Sequence, residues 1–398
     1  MSRQLVSRSP DLLRLQEEGY PISFRAGNLV LEVPYVNALR TVVRGLLVSS
    51  VTVAGDRTAM PDTHVVSFVG ALPEDVPCDA TGSELEFLIN QRGPLVLGDE
   101  MVASCTFSHK PASGYPDYYE KMTTYAEMLL GYVHAIDPAA KLRTYPPVEA
   151  DETESVFRYF DSATSRARIG AVAEKLRGLK IAIVGLGGSG SYVLDAVAKT
   201  PVTEVHLFDG DVLLTHNAFR APGAASFEEL VGQPMKVEHY QRKYDAMHRH
   251  VIAHPVDVTV DNVGELERFD FVFLTMDTGP DKQLVIEKLQ SFGVPMVDTG
   301  MGVYQQGDAL GGIVRTTASH DRLQQPRWIN DNLSFTDEGD DEYDQNIQIA
   351  ELNMLNAALA VIVWKKYFGF YLDFEHEASS NYTIDGNHLL NDGVFDED

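Results

Sequence analysis

The period of the apolar positions changes part-way along the chain. Before about residue 150, short runs follow the two-residue rhythm of strands at Asn28–Val33, Leu46–Val53, His64–Val69 and Met101–Ser108, with turn residues between them. Two stretches follow the helical rhythm instead. Pro10–Glu18 reads as a short helix closed by Gly19, and a longer one spans about Asp117–Ala135. On the longer helix Tyr118, Met122, Tyr125, Leu129, Tyr132 and Val133 share one face, a stripe that core packing explains without a ligand. Strands followed by a helix predict a smaller α+β domain over residues 1–150.

Past a proline-bearing acidic stretch at Leu142–Glu152, which reads as linker, strand and helix alternate. Strands are expected at 180–184, 204–208, 251–258, 270–275 and 295–298, and helices at 192–199, 235–247 and 281–291. That alternation predicts an α/β fold: a Rossmann-like domain over residues 151–398, its sheet mostly parallel with helices on both faces. A late helix, Ile347–Phe368, repeats Ile349, Leu352, Leu355, Asn356, Leu359 and Ile362 or Val363 at helical spacing.

Composition narrows the setting. A chain of 398 residues with 44% hydrophobic content can bury two cores. No apolar run approaches the length of a membrane span, and Met1-Ser2-Arg3-Gln4-Leu5 lacks the apolar segment of a signal peptide, so a reducing cytoplasm is the expected home. A net charge of −26 argues against nucleic acid as a partner. The acidic run Asp337-Glu338-Gly339-Asp340-Asp341-Glu342 and the final Phe395-Asp396-Glu397-Asp398 read as solvated surface, the first with a basic partner as its alternative. The two cysteines, Cys78 among acids and Cys105 in a strand-like run, have neither of the neighbours that activate a thiol. His248, Arg249, His250 and His254 have some residue types of a metal site but neither its spacing nor an acid, and His64 and His109 read as structural.

The chemistry concentrates in the second half. The strand at 180–184 runs into Gly185-Leu186-Gly187-Gly188-Ser189-Gly190-Ser191 and then into a helix. Bare main-chain N–H groups at such a helix start cradle phosphate, and the helix dipole adds to the attraction. The next strand, Val205–Phe208, ends in Asp209-Gly210-Asp211, where a carboxylate can accept bonds from ribose hydroxyls. Those features alone suit a dinucleotide as well as ATP. Asn217, Arg220 and Lys236 shift the balance, because two cations and an amide beside a triphosphate suit charge neutralisation at a phosphoryl group. Asp277 follows the strand Phe271–Leu274, and a carboxylate at a strand tip is a natural magnesium ligand.

With the glycine turn, the acid, Asn-x-x-Arg, the lysine and the later aspartate in this order, residues from about Val156 to Tyr371 resemble the adenylating domain of ubiquitin-activating enzymes, the ThiF/MoeB/HesA superfamily. The resemblance implies ATP-dependent adenylation of the C-terminal glycine of a ubiquitin-like protein, with magnesium as cofactor and pyrophosphate released. It implies that Gly185, Gly187, Gly188 and Gly190 form the phosphate turn with Gly188 against the phosphates, that Asp209, beside Asp211, holds the ribose, and that Asn217, Arg220 and Lys236 grip the triphosphate. Asp277 would hold magnesium. Arg166, with Arg168 as its neighbour candidate, occupies the place of an arginine that often reaches into the adjoining subunit, so the implied catalytic set is Arg166, Arg220, Lys236 and Asp277. A homodimer and a conjugating-enzyme partner are implied as well.

The chain departs from that pattern in its sulfur. Both cysteines precede the adenylating half, the region from Met301 to His320 has none, and paired C-x-x-C motifs are absent. A thioester step within this domain and a four-cysteine zinc are thereby excluded. Three readings stay open: the reaction stops at the acyl-adenylate, the acyl group passes directly to a partner's nucleophile, or Thr317 or Ser319, beside His320 in what reads as a polar loop, forms an oxyester. Activation of a sulfur carrier or small carboxylate, a NAD-dependent oxidoreductase and a non-catalytic scaffold are the rival functions. The oxidoreductase and the scaffold leave Lys236 and Asp277 unexplained. For residues 1–150 the expectation is docking of the ubiquitin-like or conjugating partner.

Overall fold

A computed structural model describes residues 2–150, 152–153, 155–277, 279–321 and 347–393. Both acidic runs singled out above therefore lie outside the described residues. The chain divides into two compact units, one made of Met1–Asp151 with Tyr159–Arg166 and the other of Glu152–Arg158 with Ala167–Asp398.

The first unit begins with helices α1 (Ser2–Arg8) and α2 (Pro10–Glu17). Strands β1 (Ile22–Arg25), β2 (Asn28–Val36), β3 (Val42–Ser50), β6 (Val65–Val69), β7 (Ile89–Gly98) and β8 (Met101–Ser108) form an antiparallel sheet in the order β1-β2-β3-β6-β8-β7, and β4 (Val53–Ala54) and β5 (Arg57–Thr58) make a small separate hairpin. Helix α3 (Tyr118–Val133) follows, and its face at Tyr118, Met122, Tyr125 and Leu129 joins the core with Leu31, Tyr35, Phe68 and Phe107, while Val133 packs with Val36 and Cys78. The alternating runs of the sequence correspond to β2, β3, β6 and β8. Strand β7 escapes them because most of its side chains are exposed and carry no inside–outside rhythm. His64 bonds Ser108 Oγ at 3.0 Å and His109 bonds Tyr115 at 2.9 Å, so both are satisfied structural histidines. Cys78 and Cys105 are buried, and burial raises both thiols, Cys105 to about 11. Helix α4 (Ser162–Ala167) ends this unit.

The second unit is built on strands β9 (Lys180–Val184), β10 (Glu204–Phe208), β11 (Val251–His254), β12 (Phe271–Leu274), β13 (Met296–Gln306), β14 (Ala309–Ser319), β15 (Glu377–Thr383) and β16 (His388–Gly393). They form one sheet in the order β11-β10-β9-β12-β13-β14-β15-β16. Neighbours from β11 through to β13 are parallel, and the pairs beyond β13 are antiparallel. Short helices α5 (Gly170–Ala173), α7 (Thr215–Ala218) and α8 (Phe227–Val231) accompany the longer α6 (Gly188–Val197), α9 (Lys236–Asp245), α10 (Pro280–Phe292) and α11 (Ala350–Tyr367). Apolar residues of α6, α9 and α11 enclose one face of the sheet around Ile181, Ile183, Phe271, Phe273 and Trp364, and α10 covers the other around Val184, Val272 and Leu274. This is the expected Rossmann-like arrangement with its mostly parallel sheet.

One expectation needs correction. The residues from Met301 to His320 read as a polar loop, yet they belong to a long hairpin in which β13 runs on to Gln306 and turns through Gly307 into β14. Gly300, Gly302, Gly311 and Gly312 had broken the strand rhythm. Thr317 and Ser319 are thus buried strand residues, and Ser319 pairs with Met296, itself opposite Val272 near the amino end of β12. The glycine turn lies at the carboxyl end of β9, so Ser319 and His320 stand at the opposite edge of the sheet, an arrangement that disfavours the oxyester. The late helix presents its expected stripe to the core: Leu352, Asn356 and Val363 are buried and Leu355 and Leu359 half-buried, with Asn353, Ala357, Ala360, Val361 and Trp364 buried beside them, and of the alternatives Ile362 and Val363 it is Ile362 that is exposed.

Three histidines of the second unit, His206, His248 and His254, are structural. His206 Nδ1 and His254 Nε2 are 2.8 Å apart on adjacent strands, and His248 Nε2 lies 3.0 Å from the Val202 carbonyl. Burial lowers all three, His248 to about 4. An unfolded histidine takes its proton near pH 6.5, so on acidification the unfolded chain binds protons before the native one does. Stability from these groups is complete above about pH 6.5 and declines below it. At pH 5 His248 alone lowers stability by about 2 kcal/mol, which a urea midpoint clearly lower at pH 5 than at pH 7 would register.

Candidate nucleotide-binding site

The site forms at the carboxyl ends of β9, β10 and β12. Val184 leads into Gly185, whose φ of +90° lies in the left-handed region that glycine enters without strain. The chain turns there because Gly185 N–H donates to the Phe208 carbonyl at 2.8 Å, and Thr275 Oγ1 lies 2.6 Å from the Gly185 carbonyl. Gly190 has to be glycine for the same packing, since a Cβ there would collide with the Gly185 carbonyl and the Thr275 hydroxyl. Helix α6 starts at Gly188 with no side-chain cap on its first turn. Its leading N–H groups carry the positive end of the helix dipole, the arrangement that binds phosphate. Gly187 has nothing within 4 Å of the position a Cβ would take, so open space lies over the turn at that residue. At Gly188 that position is filled by the side chain of Asn353. The residue expected against the phosphates is therefore covered on its α-carbon, and Gly187 is the one facing open space.

One carboxylate organises the rest. Asp209 Oδ2 accepts from Leu186 N–H in the glycine turn at 2.6 Å, and Oδ1 accepts from Asp211 N–H at 2.9 Å. Lys236 Nζ sits 3.3 Å from Asp209 Oδ1 and 2.6 Å from Asp211 Oδ2. Asp209 is 7% exposed with its oxygens engaged by protein donors, whereas the Asp211 side chain is 73% exposed. Three protein donors leave Asp209 acceptor capacity to spare, since a carboxylate offers about four lone-pair sites, and Asp211 stands exposed beside it. Lys236 opens α9, and its main-chain N–H bonds the Asp211 carbonyl at 2.9 Å, so backbone and side chain both hold it at the tip of β10.

Asn217 is buried and its Oδ1 accepts from Leu214 N–H at 2.8 Å, which closes the turn that carries Arg220. Arg220 is half-buried, and its Nε is buried without a hydrogen-bond partner among the described residues. A buried unpaired guanidinium N–H is costly, and an anionic oxygen would satisfy it. Asp277 is exposed beyond the end of β12, between Leu274 and α10. Among the described residues no cluster of three or more His, Cys, Asp or Glu has the geometry of a metal site. A single carboxylate is nonetheless the protein share of many magnesium sites, where phosphate oxygens and water complete the shell. The open space at Gly187, the uncapped N–H groups of α6 and the orphaned Arg220 Nε fit a polyphosphate. Arg166 belongs to the first unit, where its guanidinium lies 5.2 Å over the Tyr145 ring, and Arg168 belongs to the second, exposed with a φ of +57°.

Four residues that sequence reasoning assigned no role support this site. Thr275 buttresses the glycine turn. Asn353 on α11 accepts from Ser189 Oγ at 3.1 Å. Lys282 in the first turn of α10 is paired at 2.6 Å with Asp298 on β13, both almost fully buried, which fixes the helix directly after the Asp277 loop. The available signal was polarity out of place: an aspartate inside the apolar run Met296–Asp298 and an asparagine on an apolar helix face both demand partners when buried.

The family model "ThiF family" matches residues 163–362, and a model described as a domain of unknown function (DUF6791) matches residues 10–162. No curated protein matches the chain. Among solved structures, E. coli MccB with ATP matches at 16% identity and a TM-score of 0.43, over 56% of this chain and 66% of that one. E. coli MccB with MccA-N7isoASN gives the same values, and selenomethionyl PaaA matches at 18% identity and a TM-score of 0.42, over 56% of this chain and 76% of that one. The match thus spans slightly less than two thirds of MccB.

The glycine geometry predicts opposite outcomes for two similar substitutions. Gly190→Ala should lower stability by about 3 kcal/mol, because the new methyl meets fixed backbone. Gly187→Ala should leave the melting temperature within a few degrees of the parent, since the methyl enters open space. Thermal denaturation of the two variants side by side is the check.

Proposed function

We propose, from the premise that this chain belongs to the ThiF family of ATP-dependent adenylating enzymes, that it joins AMP to the C-terminal carboxylate of a ubiquitin-like protein ending in glycine. The supporting observation is the convergence of Lys236, Arg220 and the open first turn of α6 on the carboxyl edge of the sheet. Hydride transfer itself draws on neither cation, whereas an enzyme that brings a carboxylate to a triphosphate needs positive charge there, because the two anions repel each other. The phosphates would lie over Gly187 against the N–H groups of α6, with the ribose held by Asp209 beside Asp211. Magnesium would be held by Asp277 and supply positive charge beside the phosphates.

In the reaction a carboxylate oxygen of the tail forms a bond to the α-phosphorus, and the bond from that phosphorus to the oxygen bridging to the β-phosphate breaks. Pyrophosphate leaves with the electron pair. No general base is required, because a C-terminal carboxylate is already ionised at neutral pH. Lys236 and Arg220 disperse the charge that builds on the phosphoryl oxygens and the leaving group. Asp209 and Asp211 hold Lys236 at the tip of β10, from which its ammonium would reach the phosphates. Arg166 adds a third cation from a neighbouring copy in a homodimer. The acyl group then passes from the adenylate to a conjugating partner's nucleophile, and the unit of residues 1–150 docks the ubiquitin-like or conjugating protein.

The test is ATP–pyrophosphate exchange with a ubiquitin-like polypeptide that ends in glycine, with its C-terminally amidated form as control. Exchange should require the free carboxylate. Asp277→Ala, at an exposed position that leaves the core untouched, should reduce exchange at least about 100-fold with an unchanged melting temperature. Retained exchange would remove the magnesium role from Asp277. Arg166→Ala should lower the rate more than it weakens ATP binding, and an unaltered rate would take that role from Arg166.

A further inference from the structure

Helix α11 follows the hairpin in sequence and packs against α6, and its first turns reach the glycine turn. Asn353 is 1% exposed there. Its Oδ1 accepts from Ser189 Oγ at 3.1 Å, and its Nδ2 donates to the Arg220 carbonyl at 3.4 Å. One amide thus ties the first turn of α6 to the segment that carries Arg220. One turn further along, Asn356 Nδ2 donates to the Gly300 carbonyl at 3.0 Å and fastens the same helix to β13. The glycine at 188 belongs to this device as well. A Cβ at 188 would occupy the space of the Asn353 side chain, so the second glycine of the Gly-Gly pair makes room for an amide from another helix and not for nucleotide.

We propose that Asn353 is a positioning residue for the triphosphate: it sets the distance between the N–H groups of α6 and the Arg220 guanidinium so that both meet one nucleotide. The inference rests on the reading of the pocket as an ATP site. The physical reason is geometric. The N–H groups are fixed by their helix, whereas the Arg220 segment, α7 and the turn after it, is short; Asn217 closes the turn from within and Asn353 holds the Arg220 carbonyl from outside. Hydrogen-bond strength falls steeply with misplacement, so loss of the outside tie weakens the grip on phosphate even when the fold survives.

Titration of the full-length protein with magnesium–ATP, and separately with adenosine, tests this. Asn353→Ala should bind ATP about tenfold or more weakly while its affinity for adenosine, which lacks phosphate, stays within about twofold. A purely structural role would weaken both ligands alike, and that result would overturn the proposal, as would unchanged ATP affinity in a folded variant. Asn353→Asp keeps the acceptor for Ser189 but replaces the donor to Arg220, and it should fail to restore ATP binding; full restoration would contradict the tie to Arg220. Gly188→Ala should weaken ATP binding through collision with Asn353, and the double variant Gly188→Ala with Asn353→Ala should bind no worse than Asn353→Ala alone; additive losses would count against the shared space. Should Asn353→Ala not fold, Ser189→Ala removes the hydroxyl end of the same link and should selectively weaken ATP, with an unaltered affinity as the contrary result. Failure of the unaltered protein to bind ATP would refute the nucleotide reading itself, an outcome separate from all of these.

Discussion

The buried carboxylate of Asp209 is the constraint on which the pocket depends. An ionised carboxylate with 7% exposure is tolerable only when it is paired and hydrogen-bonded, and here its partners are the parts a nucleotide site needs. Its bond to Leu186 N–H pulls the glycine turn onto the tip of β10. Its contact with Lys236 holds a cation at the same tip, and its bond to Asp211 N–H orients the exposed acid alongside. Turn, lysine and outer acid are thus three dependants of one anion. Removal of that anion would leave Lys236 buried beside Asp211 alone, and breaking such a pair typically costs about 3–5 kcal/mol.

A second ion pair, Lys282 with Asp298, plays the corresponding part on the other side of β9. It anchors the start of α10 to β13, and the loop between β12 and α10 carries Asp277. The site is therefore framed by two buried pairs, one holding Lys236 and one the start of α10 after the Asp277 loop, while Thr275 braces the glycine turn and Asn353 ties α6 to the Arg220 segment. The interior of the sheet supplies rigidity, the edge supplies charge. Within this frame the open readings narrow. Thr317 and Ser319 are buried inside a strand, and Ser319 stands at the amino edge, which disfavours the oxyester.

Much of this was legible in the sequence, for reasons that differ by residue. The parallel strands were visible because burial on both faces makes them short continuous apolar runs, as in Ile181–Val184 and Phe271–Leu274. The glycine turn was visible because its conformation admits few other residues. Strand β7 was hidden by its exposure, and the β13–β14 hairpin by its glycines. The division of labour between Asp209 and Asp211 could not be read at all, since both are aspartates two residues apart and only burial separates them. Asn353 was hidden for a similar reason: its partners lie more than a hundred residues away, and a helical stripe counts an asparagine as an interruption when it is a tether.

The central claim is that the pocket was shaped for a triphosphate. Calorimetric titration of the unaltered protein with magnesium–ATP and, in parallel, with NAD tests it most directly. The account predicts saturable one-site binding of ATP and no heat from NAD at the same concentrations. Saturable binding of NAD with none of ATP would contradict it.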